Sequence, residues 1–288
     1  MAFLLAVGLY AVDCRGENAL FASLMQDGVP ITAKESVELP EPTLPDGLDA
    51  AGQRKALSAV IGERHTWDDF TRKAVVAPLV LKISDDAAQK KQLGRRVDLW
   101  FVAYGDLKTL ASDEFLEDQF RATESEQDAE GGSKVKLLTD DDLKKRRIPV
   151  PKKPSDPRFV AADVTLLDRV RVSGTTRSEK SVTAESVLIA SLLDETFADG
   201  EEFPNRWRSI TRDDAGRKRL GEPQPYRGLG SYVKATKLVE PKGALLIEYH
   251  IGFAEPPGWF NGANLLRSKL PLVAQDSVRK FRRTLDKK

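Results

Sequence analysis

The feature that most constrains the fold is a change of hydrophobic period near the end of the chain. In GALLIEYHIGF, starting at Gly243, the residues Leu245, Ile247, Tyr249, Ile251 and Phe253 recur at period two, while Glu248 and His250 share the other face with Leu246. This pattern predicts a half-buried strand. The segment Glu255 to Gly258 (EPPG) ends it, because two prolines cannot donate to a ladder and the glycine frees the backbone to turn. From Trp259 the period lengthens to about 3.6 residues, with Phe260, Ala263, Leu266, Leu270, Val273, Ser277, Val278, Phe281 and Leu285 on one stripe. A long amphipathic helix follows, in which Pro271 is expected to cause a kink or a split near Lys269. Arg279, Lys280, Arg282, Arg283, Lys287 and Lys288 gather at its far end, where positive charge suits the helix dipole.

A helix this apolar on one side must lie against a sheet or another helix, and the preceding chain supplies strands. Helical spacing is predicted for Asn18 to Met25, for a segment after Asp46 or Asp49 with Ala56, Leu57, Val60 and Ile61 on one stripe, for Thr66 to Arg72, and for Asp106 to Phe120. Between the first two, Pro40, Pro42 and Pro45 hold the chain extended as a connector or strap. Strands are predicted for Lys73 to Ile83 and Arg95 to Tyr104. A long hairpin follows from Phe159 to Leu193 with its turn at Gly174 to Lys180, then Tyr226 to Leu238 and the closing strand. Residues 121–158 mix charge, glycine and proline and predict an exposed insertion with one short helix at Asp140 to Arg147. The resulting expectation is an α+β fold: a curved antiparallel sheet of about six strands packed on a long C-terminal helix. The domain organisation that follows is an N-terminal apolar segment and strap (residues 1–45), then a single domain over 46–288.

The segment EYHIGFAEPPGWFNGANLLRSKLPLVAQDSVRKFRRTL resembles the closing strand, Pro-Gly-Trp corner and final helix with a central proline of the START and wider SRPBCC superfamily. The resemblance implies a helix-grip fold and a hydrophobic cavity for a lipid, sterol or other apolar molecule. On that view Trp100, Tyr104, Tyr249, Phe253, Trp259, Leu266 and Leu270 are candidates to line the ligand pocket.

Bulk properties narrow the function classes. A net charge of +1 over 288 residues argues against a dedicated nucleic-acid binder. One cysteine, Cys14, excludes an internal disulfide framework and a thiolate zinc cluster, and two histidines exclude a multi-histidine metal site. Phe3 to Val12 has the length and apolarity of an export-signal core and is too short to span a bilayer, so a periplasmic or secreted protein is expected, with a cytoplasmic one as the alternative. His250 and Glu248 could handle a proton, but a polar outer face of a half-buried strand explains them more simply. The pairs Asp194-Glu195 and Glu201-Glu202 alternate across strand faces and make no ready acid/base couple, and GLGS at Gly228 to Ser231 lacks the rest of a phosphate loop. No catalytic residue, metal or cofactor is assigned. The function expected is binding of an apolar ligand without catalysis. The alternative is a cell-envelope structural or interaction module with a closed core, and a hydrolase or cyclase on the same scaffold ranks third.

Overall fold

The computed structural model describes residues 18–86, 93–112, 114–115, 134–152, 156–200, 202–260 and 265–287. The apolar opening segment with Cys14, residues 116–120 of the helix expected over Asp106 to Phe120, residues 121–133 of the charged insertion, Glu201 and Ala263 lie outside the described residues. Asn18 caps helix α1 (Ala19–Asp27) by accepting from the Phe21 amide, as an N-cap side chain should. The short strands β1 (Val29–Pro30) and β2 (Ser36–Val37) pair with each other. After the proline strap, Asp49 caps α2 (Ala50–Ile61) and Thr66 caps α3 (Trp67–Thr71). Then come β3 (Leu79–Asp86), β4 (Leu93–Tyr104), α4 (Leu107–Ala111), β5 (Lys134–Leu137) and α5 (Asp140–Lys145). The chain continues through β6 (Arg158–Leu166), β7 (Val170–Val182), β8 (Ser186–Leu193), β9 (Arg206–Arg212), β10 (Lys218–Leu220) and β11 (Gln224–Pro225). It ends with β12 (Leu229–Lys237), β13 (Ala244–Glu255) and α6 (Leu265–Asp286).

The main sheet has 11 strands, not about six, and every described pairing in it is antiparallel. Three misread stretches account for the difference. Gly174 to Lys180, expected as a turn, is the interior of β7, and the chain reverses at Leu167 and Asp168, whose φ angles are 50° and 58°. That is a tight hairpin turn built without the usual Asn-Gly signal. The charged insertion contributes β5 to the edge of β6 beside its expected short helix α5, and the polar stretch after Asn205 contributes β9, β10 and β11. One edge of β7 pairs with β6 over Val170–Ser178, while its other edge forks, Val170–Ser173 going to β9 and Thr176–Val182 to β8. Asn205 fills the fork, accepting from the Thr175 amide at 2.9 Å and donating to the Asp194 carbonyl at 2.7 Å.

Both faces of the sheet are covered. On one, here the helix face, Val97, Leu99 and Phe101 of β4 and Ile247, Tyr249 and Ile251 of β13 join Leu270, Val278 and Leu285 of α6 in the main core. Full burial of each such aliphatic side chain is worth about 1.5–3 kcal/mol. On the other, the strap face, Trp100, Val102 and Leu246 pack with Leu44, Leu57, Ile61 and Phe70 from the strap, α2 and α3. Gly230 and Gly252 sit opposite each other in register, and a Cβ on either would lie within 3.0 Å of Val29 Cγ2. The missing side chains make the hollow into which β1 seats. In consequence all 12 residues of β13 are buried, where a half-buried strand was expected.

Helix α6 runs unbroken through Pro271 over 22 residues. Its buried residues are Leu270, Ala274, Val278, Arg282 and Leu285, so one of the basic residues expected at the solvated end turns inward. The Arg282 guanidinium donates to the carbonyls of Val102 (2.8 Å), Ala77 (2.7 Å), Val75 (3.1 Å) and Pro78 (3.1 Å), and lies over the Phe101 ring at 5.6 Å. The β3–β4 ladder stops at the pair Leu79–Phe101, so Arg282 takes over the carbonyls just past its end. This fastens the C-terminal half of α6 to the sheet.

Candidate functional site

The N-terminal half of α6, where Leu270 and Ala274 are buried, also borders open space. Between it and the β6–β7 turn and β9 lies an open groove of about 570 Å³. Leu167, Ile210, Leu265, Leu272 and Val273 supply its apolar wall, and the exposed residues Asp168, Arg169, Arg212 and Lys269 edge it. Asp168 is held ionised by hydrogen bonds from Lys218 and Arg212, each at 2.7 Å, which outweigh partial burial and lower its pKa. Leu272 keeps 58% of its surface in solvent at the rim of the groove. On the same face Leu266 of α6 is only half-buried, as are Leu79, Leu81 and Ile83 of β3 at the opposite edge of the sheet from β9. So is Val233 in the middle of the central strand β12. A smaller open pocket of about 220 Å³ lies beside Arg282, between the C-terminal half of α6 and residues 75–79.

The corner before α6 is aromatic. Trp259 stacks on Tyr226 at 5.4 Å between ring centroids, with Phe253 at 6.5 Å and the edge-on rings of Trp207 at 5.9 Å and Phe260 at 6.1 Å. Burial raises the Tyr226 phenol pKa, and its hydroxyl donates to the Ala254 carbonyl at 3.1 Å. The Trp259 indole N–H is buried without a partner.

The strap face carries a different polar centre. His250 Nδ1 is 2.8 Å from Asp98 Oδ1 and Nε2 is 3.4 Å from Glu248 Oε2, with the Tyr232 and Trp100 rings against the imidazole at 4.7 and 5.1 Å. Arg96 bonds Asp98 at 3.0 Å, and Lys234 bonds Asp46 at 2.9 Å. With His250 protonated, three carboxylates meet three cations. Burial opposes that proton, but the hydrogen bonds and charges of Asp98 and Glu248 together prevail and raise the His250 pKa.

What this centre does is hold the strap. Prolines 40, 42 and 45 have no N–H with which to join a ladder, so the strap's polar groups must be met by side chains. Tyr232 donates to the Pro40 carbonyl at 2.6 Å, Lys234 to that of Leu44 at 2.7 Å, and Arg96 to that of Glu38 at 3.3 Å. Glu248 accepts from the Thr43 amide at 2.8 Å, and the Trp100 indole donates to Thr43 Oγ1 at 2.9 Å. His250 and Glu248 are thus wholly buried beneath the strap, not on a polar outer face.

The seven residues put forward from the sequence do not share one face. Tyr249, Phe253, Trp259, Leu266 and Leu270 belong to the helix face. Trp100 and Tyr104 alternate to the strap face, where Tyr104 donates to the Thr71 carbonyl at 2.5 Å. Of the acidic pairs, Asp194 caps a short 3₁₀ turn at Glu195–Phe197. Gly230 of the GLGS run is a strand position. Arg282 falls on the same 3.6-residue stripe as Val278 and Leu285, a signal that was available in the sequence. Lys234 and the serines of β7, β8 and β12 gave none. Among the described residues no group of three or more His, Cys, Asp or Glu side chains is placed to hold a metal. No described helix is long and apolar enough to cross a membrane.

No protein-family model matches the chain, and no curated protein does. Among solved structures it is similar to the human StarD13 (DLC2) lipid transfer and protein localization domain. The identity is 7%, over 71% of this chain and 89% of that one, with a TM-score of 0.39. At that distance function has to be read from the residues of this chain.

Proposed function

We propose that the protein binds an apolar, lipid-like molecule, without catalysis, between the helix face of the sheet and α6. The observation that carries this reading is the groove beside the N-terminal half of α6, with apolar walls and a charged edge. Its volume is in the range of sites that enclose small ligands. Tyr249, Trp259, Leu266 and Leu270 are the proposed inner lining, and Leu272 and Val273 the mouth. The charged edge keeps the mouth wetted while the walls take hydrocarbon. A fluorescent fatty acid titrated into the purified protein should bind saturably at one site per chain and be displaced by unlabelled lipid. Native mass spectrometry should find the same site occupied by co-purified lipid. Absence of saturable binding to fatty acid, sterol and phospholipid probes alike would refute the proposal.

A second reading, an interaction module with a closed core, is favoured by the filled strap face and by the aromatic corner packed around Trp259. It predicts no lipid binding, so the same titration separates the two.

A further inference from the structure

At the opposite edge of the sheet from the groove lies the smaller pocket, of about 220 Å³, where the chain enters β3. One wall is the apolar run from Val75 to Leu79, in which Val76 keeps 60% of its surface in solvent. The other is the C-terminal half of α6, which presents Val278 together with Arg279 and Arg282. His65 and Gln275 are the remaining polar groups at the opening, and no described acidic residue lines it. Its volume is below that of a site for a drug-sized ligand, so it suits a small molecule.

Two cations line this pocket, and no acid balances them there. Arg282 is buried, and a buried charge is ordinarily paired with an opposite one. Every partner of Arg282 is instead a backbone carbonyl: Nε donates to Val102, Nη1 to Val75 and Ala77, and Nη2 to Pro78. A guanidinium has five N–H groups, so one on Nη2 is left over. Burial and the charge of Arg72 lower the Arg282 pKa, and an anion beside it would offset both. Arg279 is half-buried, and its described ion pair, to the exposed Asp276, is long at 3.4 Å. Exposed pairs of that kind are weak, which leaves most of the Arg279 fork available.

We infer that this pocket binds a small organic carboxylate, with the charged group on Arg279 and the remaining Arg282 N–H and the hydrocarbon body against Val75, Val76 and Val278. Guanidinium groups match the planar carboxylate, and the apolar walls cover the rest of the molecule. A bare inorganic anion would satisfy the cations but leave those walls wet. The site is separate from the groove and does not depend on what the groove holds.

The test compares benzoate, its neutral analogue benzamide and inorganic phosphate by isothermal titration calorimetry on the full chain. Benzoate should bind saturably at one site per chain with a Kd of about 0.1–1 mM. Benzamide and phosphate should each bind at least about tenfold more weakly, the first for want of charge-assisted hydrogen bonds and the second for want of an apolar body. Arg279→Gln should weaken benzoate by about fivefold to tenfold with the melting temperature within ~1 °C of the parent, because Arg279 makes no buried bond. Arg279→Lys should recover part of the affinity, and benzoate should not displace a fluorescent lipid from the groove. Absence of saturable benzoate binding, equal binding of benzamide or phosphate, or undiminished benzoate binding by Arg279→Gln would overturn the site.

Discussion

Replacing Arg282 tests how α6 is held. In Arg282→Met the stem volume is kept and the donors are lost. The bonds to Val102 and Ala77 are buried, so those carbonyls are left unpaired at about 1–3 kcal/mol each, while Val75 and Pro78 are partly buried and can turn to water. Removing a buried cation returns part of this, because burial and the nearby Arg72 already disfavour the charge and lower the Arg282 pKa to about 10. At neutral pH the group is nonetheless charged, so its carbonyl bonds are the quantity removed. The expected net loss is ~3 kcal/mol. At about 2–3 °C per kcal/mol for a chain of this size, the melting temperature should fall by about 5–10 °C. Arg282→Lys keeps the charge but cannot span four carbonyls from one ammonium, and should lose about half as much. Differential scanning calorimetry with urea denaturation measures both. A methionine variant melting within ~1 °C of the parent would show that α6 is fixed by its apolar stripe alone.

Three further outcomes follow from the packing. His250 has a raised pKa in the folded state, so its stabilising contribution is complete below the unfolded value of about 6.5 and is lost as pH rises through the folded value. Urea midpoints should decline over that rise in the parent and stay level in His250→Gln, and parallel curves would contradict the ion-centre account. Asn205→Ala should destabilise by about 3 kcal/mol, because it strands the Thr175 amide and the Asp194 carbonyl at the fork of the sheet, and an unchanged urea midpoint would mean that water replaces it. Gly230→Ala places a Cβ 2.8 Å from Val29 Cγ2 and should cost about 1–3 kcal/mol, a loss that Val29→Ala relieves if β1 seats in the glycine hollow. Additive effects in that double variant would contradict the seating.

The closing strand and helix were legible because their periods are unambiguous: Leu245 to Phe253 alternates, and Leu270, Val278 and Leu285 recur at helical spacing. One cap was legible as a choice between Asp46 and Asp49, which the structure decides for Asp49, while Asn18 and Thr66 were legible as helix starts and prove to be caps. The strand count was not. Leu167-Asp168 turns the chain with positive φ on residues that do not announce it, and Gly174 announces a turn that the fork of the sheet makes unnecessary. Nor could the pattern show that the face of Glu248 and His250 is buried, because the covering strap lies 205 residues earlier at Thr43. The aromatic candidates divided for the same reason. Trp100 is as apolar as Tyr249, and only the register assigns them to opposite faces.

The most direct test of ligand binding between sheet and helix is to enlarge Val233. Val233→Phe adds a ring at a half-buried position on the helix face of β12, so folding stability should hold or rise while affinity for a fluorescent lipid falls at least tenfold. Undiminished lipid binding by a folded Val233→Phe protein would place the ligand elsewhere and contradict the account.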